Sequence, residues 1–227
     1  GDRPLRLLDV ACGSGKFPDA LIRHAGVAGA AIRPVDYALL DPSAFSLAEA
    51  QATLCPPFVA GEARQCPLEA LETPPGAFDI LWATHALYAV PETALEEGLG
   101  RFLAAMRGGA GVIAQATEGS HYLRWQRLFL DAFRGGAGVP FIPAEAIVDA
   151  LGRLGAGITV QEISYETAAP LDEDARVEGF LQRCVFDDTV PLAAMQARAP
   201  TAAYLDACRT DTGWRFPQTV ALIFIRA

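Results

Sequence analysis

Short apolar runs alternate along the first half of the chain with stretches whose apolar residues recur at helical spacing. Apolar runs bounded by turn residues predict strands, whereas the wider spacing predicts helices. The predicted strands are 5–10, 35–40, 58–60, 78–83 and 111–116, and the predicted helices are 17–25, 44–54 and 92–106. Continuously apolar strands that alternate with helices are typical of a parallel sheet covered by helices on both faces.

The second half of the chain changes character. The pattern predicts helices at 120–133 and 144–154 and strands at 159–165 and 219–225, with about fifty residues of mostly helical pattern between the two strands. No internal repeat or low-complexity linker interrupts the sequence. We therefore expect a single α/β domain over residues 1–227.

Composition and charge limit the classes of partner that this domain can bind. Of 227 residues, 52% are hydrophobic, yet no apolar run approaches the roughly 18–20 residues of a membrane helix, and the opening GDRPLRLLDV is unlike a signal peptide. The net charge is −9 without a Lys/Arg cluster, which argues against nucleic acid. The five cysteines are odd in number and form no CxxC pair. We expect a cytoplasmic protein in a reducing compartment, without a membrane or nucleic-acid partner.

The turn after the first strand, LLDVACGSGKF, is the first place to look for a ligand, because ligands bind at the carboxyl ends of parallel strands. A P-loop requires glycine where Val10 stands and Ser or Thr where Phe17 stands. A dinucleotide fingerprint requires a third glycine where Pro18 stands. Both nucleotide-binding motifs therefore fail at a defining residue.

The pattern that does fit is an acidic residue, Asp9, followed by a small-x-Gly-x-Gly turn with Gly13 and Gly15. This segment resembles the first motif of the class I S-adenosylmethionine (SAM)-dependent methyltransferases. Further segments resemble that family in order and spacing: LLDPSAFSLAEA with Asp41, VAGEARQCPL with Glu62, AFDILWATHALYAVP, and MRGGAG followed by VIAQAT. The resemblance covers about residues 5–116.

The resemblance implies a doubly wound, seven-stranded, mostly parallel sheet with an antiparallel last strand and a helical insertion before it. It implies SAM as cofactor, with Asp41 on the ribose hydroxyls and Glu62, where Asp is commoner, on the adenine amine. No metal is expected, and Thr84 ends the fourth strand where magnesium-dependent relatives carry Asp. The residues that it places at the cofactor are Asp9, Ala11, Gly13, Gly15, Asp41, Pro42, Glu62, Ala63 and Thr84.

Physical reasons support this placement independently of the family. Small residues in the turn let the backbone approach a ligand, and its N–H groups can meet a carboxylate. Simpler roles remain open for each group. Asp9 can cap the turn, Gly13 and Gly15 can be ordinary turn glycines, Asp41 can cap the following helix, and Glu62 can be solvated surface.

Two clusters that follow the fourth and fifth strands are candidates for the chemistry. THALY carries His85 and Tyr88, and SHYLRW carries His121, Tyr122 and Trp125. Histidine can accept a proton from an amine or hydroxyl near neutral pH, and aromatic rings favour a cationic centre. We predict His85, His121 and Tyr88 as catalytic residues and Tyr122 and Trp125 as substrate contacts. The alternative for either histidine is a hydrogen-bonded packing role.

Members of the family that this sequence resembles usually carry one or more helices before the first strand, and these helices close over SAM. Here the first strand begins near residue 5, so we expect either an upstream segment or a lid formed elsewhere. Residues 118–135 and 166–218 are the predicted lid. The sequence thus predicts a methyltransferase acting on N or O of a small molecule. The Ala-, Arg-, Gly- and Pro-rich composition is compatible with an enzyme of natural-product biosynthesis. The alternatives are a non-methylating SAM enzyme (cyclisation or rearrangement) and a non-catalytic SAM-binding subunit.

Overall fold

Strands and helices alternate through the first half of the chain, as the apolar pattern predicts. The computed structural model describes residues 3–27, 33–106 and 108–226. The strands are β1 (Leu5–Val10), β2 (Val35–Leu40), β3 (Phe58–Arg64), β4 (Ile80–Thr84), β5 (Ala110–Ala116), β6 (Gly157–Ala169), β7 (Arg209–Thr210) and β8 (Gly213–Arg226). Strands β3, β6 and β8 are longer than the sequence pattern predicts.

The strands form one sheet in the order β3-β2-β1-β4-β5-β8-β6, with the two-residue β7 beside β8. The pairs among β1 to β5 are parallel, and the C-terminal strands are antiparallel. Asp9 of β1 lies opposite Leu39 of β2 and Trp82 of β4. Because parallel strands point the same way, the turns after β1, β2 and β4 lie at one edge of the sheet.

The helices fall where helical spacing predicts them. They are α1 (Lys16–His24), α2 (Ala44–Thr53), α3 (Glu92–Ala105), α4 (His121–Arg134), α5 (Ala144–Arg153), α6 (Asp174–Arg183), α7 (Leu192–Ala197) and α8 (Thr201–Cys208). The last three form the helical insertion predicted before the final strand. Within the described residues, no helix combines the length and apolarity needed to cross a membrane.

The residues of the structure fall into two compact units, and the single domain expected over residues 1–227 stays a prediction. Unit 1 comprises Gly1–Gln115, Ala146–Gln161 and Leu222–Ala227, and unit 2 comprises Ala116–Glu145 and Glu162–Ala221. The long strands β6 and β8 contribute residues to both units. Both predicted lid segments, 118–135 and 166–218, belong to unit 2, and their role as a lid stays a prediction.

Each unit has its own buried aromatic core. In unit 1, Tyr37, Phe58 and Trp82 meet edge to face, with ring centroids 5.1 to 6.3 Å apart. In unit 2, Trp125, Phe129, Trp214 and Phe216 pack with aliphatic residues of the insertion helices. Such rings remove large apolar areas from water and gain about 0.5–1.5 kcal/mol per pair beyond that burial.

Candidate functional site

The turn between β1 and α1 bends through two glycines with different surroundings. Both have positive φ, +53° at Gly13 and +74° at Gly15, a conformation in which other residues are strained. A Cβ on Gly15 would lie 2.3 Å from Thr53 Oγ1, against helix α2. A Cβ on Gly13 would meet no described atom within 4 Å. Gly15 therefore serves helix packing, whereas Gly13 faces open space of the kind that a ligand needs.

Two non-glycine residues share the left-handed conformation at this edge of the sheet. Ala11, just after β1, has φ +51°, and His85, just after β4, has φ +52°. These strands are neighbours, with Asp9 paired to Trp82, so the two strained residues follow adjacent strand ends. Strained backbone clusters at sites where the surrounding structure imposes it for function. The edge of β1 and β4 is therefore the first place to look for chemistry.

Asp41 ties the turn to the end of β2. One carboxylate oxygen accepts a hydrogen bond from Gly13 N–H at 3.0 Å, and the other accepts one from Ser43 N–H at 2.8 Å. The residue is 7% exposed. The N-cap of α2 is Ser43, whose hydroxyl accepts from Ser46 N–H, so the simple capping role considered for Asp41 does not hold. The carboxylate instead lies beside the open turn.

Asp9 lies deeper than Asp41. Its side chain is 2% exposed and accepts a hydrogen bond of 2.7 Å from the Tyr37 hydroxyl. Burial raises the pKa of Asp9 to about 7, because desolvation disfavours the charged form more than the Tyr37 bond favours it. Asp9 is therefore bonded to Tyr37 inside the core, and a direct cofactor contact by its side chain stays a prediction.

A pocket opens at the same edge of unit 1. Its cavity volume is about 140 Å³, smaller than the roughly 300–1,000 Å³ of typical small-molecule sites. Two predicted cofactor residues, Ala11 and Pro42, line it. The remaining lining is mostly apolar: Val10, Leu40, Cys66, Pro67, Leu68, Glu69, Ala86, Leu87, Ala89, Val90 and Pro91.

The structure does not bring Glu62 to this pocket. The Glu62 carboxylate pairs with Arg64 at 2.8 Å and lines a separate polar cleft with Arg6 and Asp36. Ala63 pairs with Leu39 in the β2–β3 register. The pocket is lined instead by 66–69, which overlaps the end of the VAGEARQCPL segment; of that segment, only Glu62 and Ala63 are predicted site residues. The Cys-Pro-Leu-Glu stretch carries no motif of its own, and the strand preceding it is longer than predicted.

The segment after β4 presents a histidine and a tyrosine together. Thr84, at the end of the strand, is half-buried and pairs with Ala114 of β5. His85 is exposed, and its Nδ1 lies 2.6 Å from the hydroxyl of the buried Tyr88. Neighbouring protein atoms partly desolvate the His85 ring, which lowers its pKa from the ordinary value of 6.5. The two residues predicted as catalytic in this segment therefore form a hydrogen-bonded pair, and their catalytic role stays a prediction.

The second predicted cluster lies inside the core of unit 2. His121 has no exposed surface, and its Nδ1 lies 2.8 Å from the Tyr204 hydroxyl. Trp125 is also fully buried and donates its indole N–H to Leu181 O at 3.0 Å. Burial, with a smaller contribution from Arg124, lowers the pKa of His121 to about 3. Both side chains are closed off in this structure, and their catalytic and substrate roles stay predictions.

Tyr122 differs from its neighbours in the same helix. It is half-buried and its ring stacks on Phe141 at 5.4 Å, while Phe141 meets the exposed Phe186 at 5.7 Å. Tyr122 thus belongs to a row of three rings that reaches the surface of unit 2. Within the described residues, no group of three or more His, Cys, Asp or Glu side chains has the arrangement of a metal site.

Comparisons with known proteins place this geometry in a structural context. No protein-family model and no curated protein matches the chain. A solved protein assigned as a methyltransferase from Bacillus halodurans is similar, with a TM-score of 0.63, 13% identity, and coverage of 98% of this chain and 92% of that one. A SAM-dependent methyltransferase from Mesorhizobium loti gives a TM-score of 0.53 and 19% identity, covering 99% of this chain and 92% of its own.

The [4+2]-cyclase SpnF is also similar, with a TM-score of 0.51, 17% identity, and coverage of 99% of this chain and 76% of SpnF. At such identities the likeness is one of fold. The chain has the Rossmann-like fold of solved SAM-dependent methyltransferases, and the predicted fold class is confirmed. The same fold also occurs in a cyclase, so the reaction has to be argued from the site.

Proposed function

We propose that this protein is a SAM-dependent methyltransferase that methylates N or O of a small molecule. The observation that carries the proposal is the meeting of Gly13 and Asp41 beside the pocket of unit 1. Gly13 leaves open space where any other residue would place a Cβ, and the Asp41 carboxylate is fixed 3.0 Å from the Gly13 nitrogen. A cationic nucleoside needs both features, space against backbone N–H groups and a buried carboxylate for its hydroxyls.

The residues present fit SAM in three respects. Asp41 would accept hydrogen bonds from the ribose hydroxyls, and the turn at Gly13 would receive the amino-acid part of the cofactor. The apolar lining formed by Leu40, Pro42 and Leu68 suits the face of a purine ring. We assign the adenine edge to the segment 66–69, which includes Glu69, and leave Glu62 to its ion pair with Arg64. Ala63 and Thr84 remain proposed neighbours of the cofactor.

When bound, SAM supplies an electrophilic methyl carbon, which forms a bond to the acceptor's N or O while its bond to sulfur breaks and that electron pair stays on sulfur. The protein has to align the acceptor with that carbon and exclude water, because orientation accounts for much of such catalysis. His85 and Tyr88 are the polar side chains after β4 that we assign to the acceptor. We build this site without His121 and Trp125, whose side chains are closed off.

A small-molecule acceptor follows from charge. The net charge of −9 repels the phosphate backbones of RNA and DNA, and no run of basic residues counters it. The second candidate function is a SAM-binding enzyme that catalyses cyclisation or a rearrangement without methyl transfer. The likeness to SpnF, a [4+2]-cyclase of the same fold, favours keeping it as the alternative.

Calorimetry and product analysis test the proposal in two steps. Titration with SAM, S-adenosylhomocysteine and NAD should show binding of the first two and none of NAD, together with a higher Tm. Incubation with SAM and a panel of amines, phenols and carboxylic acids should then give S-adenosylhomocysteine and a product heavier by one CH₂ unit, detected by mass spectrometry. SAM binding with methylthioadenosine or an isomerised product would favour the alternative. Absence of SAM binding would overturn both.

A further inference from the structure

The His85–Tyr88 pair has a geometry that decides which ring nitrogen of the histidine is left for a ligand. The Nδ1 atom lies 2.6 Å from the Tyr88 hydroxyl, and the rings are nearly parallel, 23° apart with centroids at 6.1 Å. Tyr88 is 5% exposed, so its ring is held by packing. The Nε2 atom of the exposed His85 has no hydrogen-bond partner among the described residues. Any ligand at this histidine therefore meets Nε2.

The direction of the hydrogen bond follows from the chemistry of its two partners. A phenol is the stronger donor, with an ordinary pKa near 10, and a neutral imidazole nitrogen is a far better acceptor than a phenolic oxygen. The short separation of 2.6 Å fits an O–H donor. Tyr88 accordingly donates to Nδ1 of His85. A neutral imidazole that accepts at Nδ1 carries its hydrogen on Nε2.

The main chain of His85 is also held in place. The backbone N–H of His85 donates to Ala114 O at 2.7 Å. The residue is held at φ +52°, a conformation that is strained for any residue other than glycine. Partial desolvation of the ring lowers its pKa, so the imidazole is neutral near pH 7. The neutral ring thus presents an N–H group rather than a lone pair. A general base needs the lone pair, so the role first expected for His85 does not suit this tautomer.

We propose that His85 binds the methyl acceptor as a hydrogen-bond donor through Nε2–H, with Tyr88 as the positioning residue that holds this tautomer. The acceptor class is a small molecule that carries an oxygen acceptor, a carboxylate, carbonyl or phenolate, near the atom to be methylated. This inference rests on the proposed function for its substrate. The tautomer itself is a property of the protein without cofactor.

Nitrogen NMR of ¹⁵N-histidine-labelled protein tests the tautomer directly, in the absence of SAM. The chain has only three histidines, His24, His85 and His121, so single substitutions of His24 and His121 by Gln assign the signals. We expect the His85 hydrogen on Nε2 and a hydrogen-bonded Nδ1. Tyr88→Phe should shift the Nδ1 signal and mix the tautomers, whereas Tyr165→Phe, which removes the same hydroxyl from a side chain 49% exposed, should leave His85 unchanged.

A hydrogen on Nδ1 in the wild-type protein would overturn the proposal. The same holds if Tyr88→Phe and Tyr165→Phe leave the His85 signals equally unchanged. The wild-type spectrum decides the tautomer by itself, so the test stands even if Tyr88→Phe does not fold.

Kinetics with the acceptor found by product analysis test the donor role. His85→Gln keeps an N–H donor and should retain most of the activity, while His85→Leu should raise KM about tenfold, the loss of one hydrogen bond, with a smaller change in kcat. If His85 is a base, Gln and Leu should lose kcat equally. Failure to bind SAM would remove the proposed function and leave the NMR result standing. Methyl transfer by a protein with hydrogen on Nδ1 would remove only this inference.

Discussion

The two histidines that follow β4 and β5 both come after a hydroxyl residue and two residues before a leucine, yet they have opposite surroundings in space. His85 is exposed, strained in its backbone and bonded to a tyrosine three residues away. His121 is fully buried and bonded to Tyr204, which is 83 residues away. Each histidine bonds a tyrosine through Nδ1, but Nε2 belongs to an exposed residue in His85 and is buried in His121. The comparison shows that a histidine with aromatic neighbours after a strand can lie either at the surface or in the core, and that the local sequence does not distinguish the two.

The rings around His121 explain why it is neutral. Trp125, Phe180, Tyr204 and Phe216 lie with ring centroids 4.7 to 6.2 Å from the imidazole. Its Nε2 is buried without a hydrogen-bond partner among the residues that the structure describes. A charged imidazole there would lose its hydration without gaining a counter-ion. The cluster therefore stabilises unit 2.

Removing the centre of that cluster should have the largest effect. Trp125→Ala deletes a fully buried ring and its bond to Leu181, and we expect a loss of about 3–5 kcal/mol in the free energy of unfolding. Phe45→Ala, at a side chain 71% exposed, is the control and should change it by less than about 0.5 kcal/mol. Denaturant unfolding measures both. Similar losses in the two variants would contradict the assignment of Trp125 to the core.

Asp41 should have the next largest effect, on binding rather than folding. Asp41→Ala removes the carboxylate beside Gly13, and we expect SAM affinity to fall by about ten- to a hundredfold, the loss of a charge-assisted hydrogen bond. Asp41→Asn keeps an oxygen acceptor for one backbone N–H and should lose less. Calorimetry measures both affinities. Unchanged affinity in Asp41→Ala would count heavily against the proposed cofactor site.

The pH dependence of stability should separate the two units. Burial raises the pKa of Asp9 from 3.8 to about 7, so its contribution is present in acid and is lost as pH rises toward 7. Burial lowers the pKa of His121 from 6.5 to about 3, so its contribution is present above pH 6.5 and is lost as pH falls toward 3. Between about pH 5 and 6.5, each group changes the free energy of unfolding by about 2 kcal/mol, and the two changes have opposite signs.

Each single substitution removes one of these two opposing pH dependences of stability. Asp9→Asn should leave a protein whose unfolding free energy falls as pH falls, and His121→Gln one whose unfolding free energy falls as pH rises. Denaturant titrations at several pH values measure the slopes, which are independent of any constant loss from the substitution. Parallel slopes in both variants and the wild-type protein would show that neither group has a perturbed pKa.

The glycine turn should show the smallest effect on stability. Gly13→Ala places its Cβ in open space, so the expected cost is only about 1 kcal/mol of backbone strain, accompanied by weaker SAM binding. Gly15→Ala has the same strain and adds a clash with Thr53, so its loss of stability should be greater. Thermal unfolding ranks the two variants. The reverse order would mean that the packing of α2 does not depend on Gly15.

Much of the fold could be predicted because its signals are local. Strands β1 and β2 begin and end where the apolar runs do, and helices α2 and α5 begin at the predicted residues. The sequence pattern does not predict the ends of β6 and β8, because polar residues there, such as Glu166, Arg215 and Gln218, interrupt the apolar runs. Pairing with neighbouring strands, which no local pattern records, determines how far such strands extend.

The site was predicted less evenly, since the burial of a polar group depends on residues far along the chain. The sequence by itself determined the order of strands and helices, because apolar periodicity depends only on residues that are close along the chain. It also determined the turn at Gly13 and Gly15, because glycine readily adopts the positive φ that the turn requires. Only the tertiary structure decided that Asp41 is bonded to the turn at Gly13 and that Asp9 is buried against Tyr37. The surroundings of His85 and His121 were decided in the same way, because desolvation comes from side chains that folding brings together.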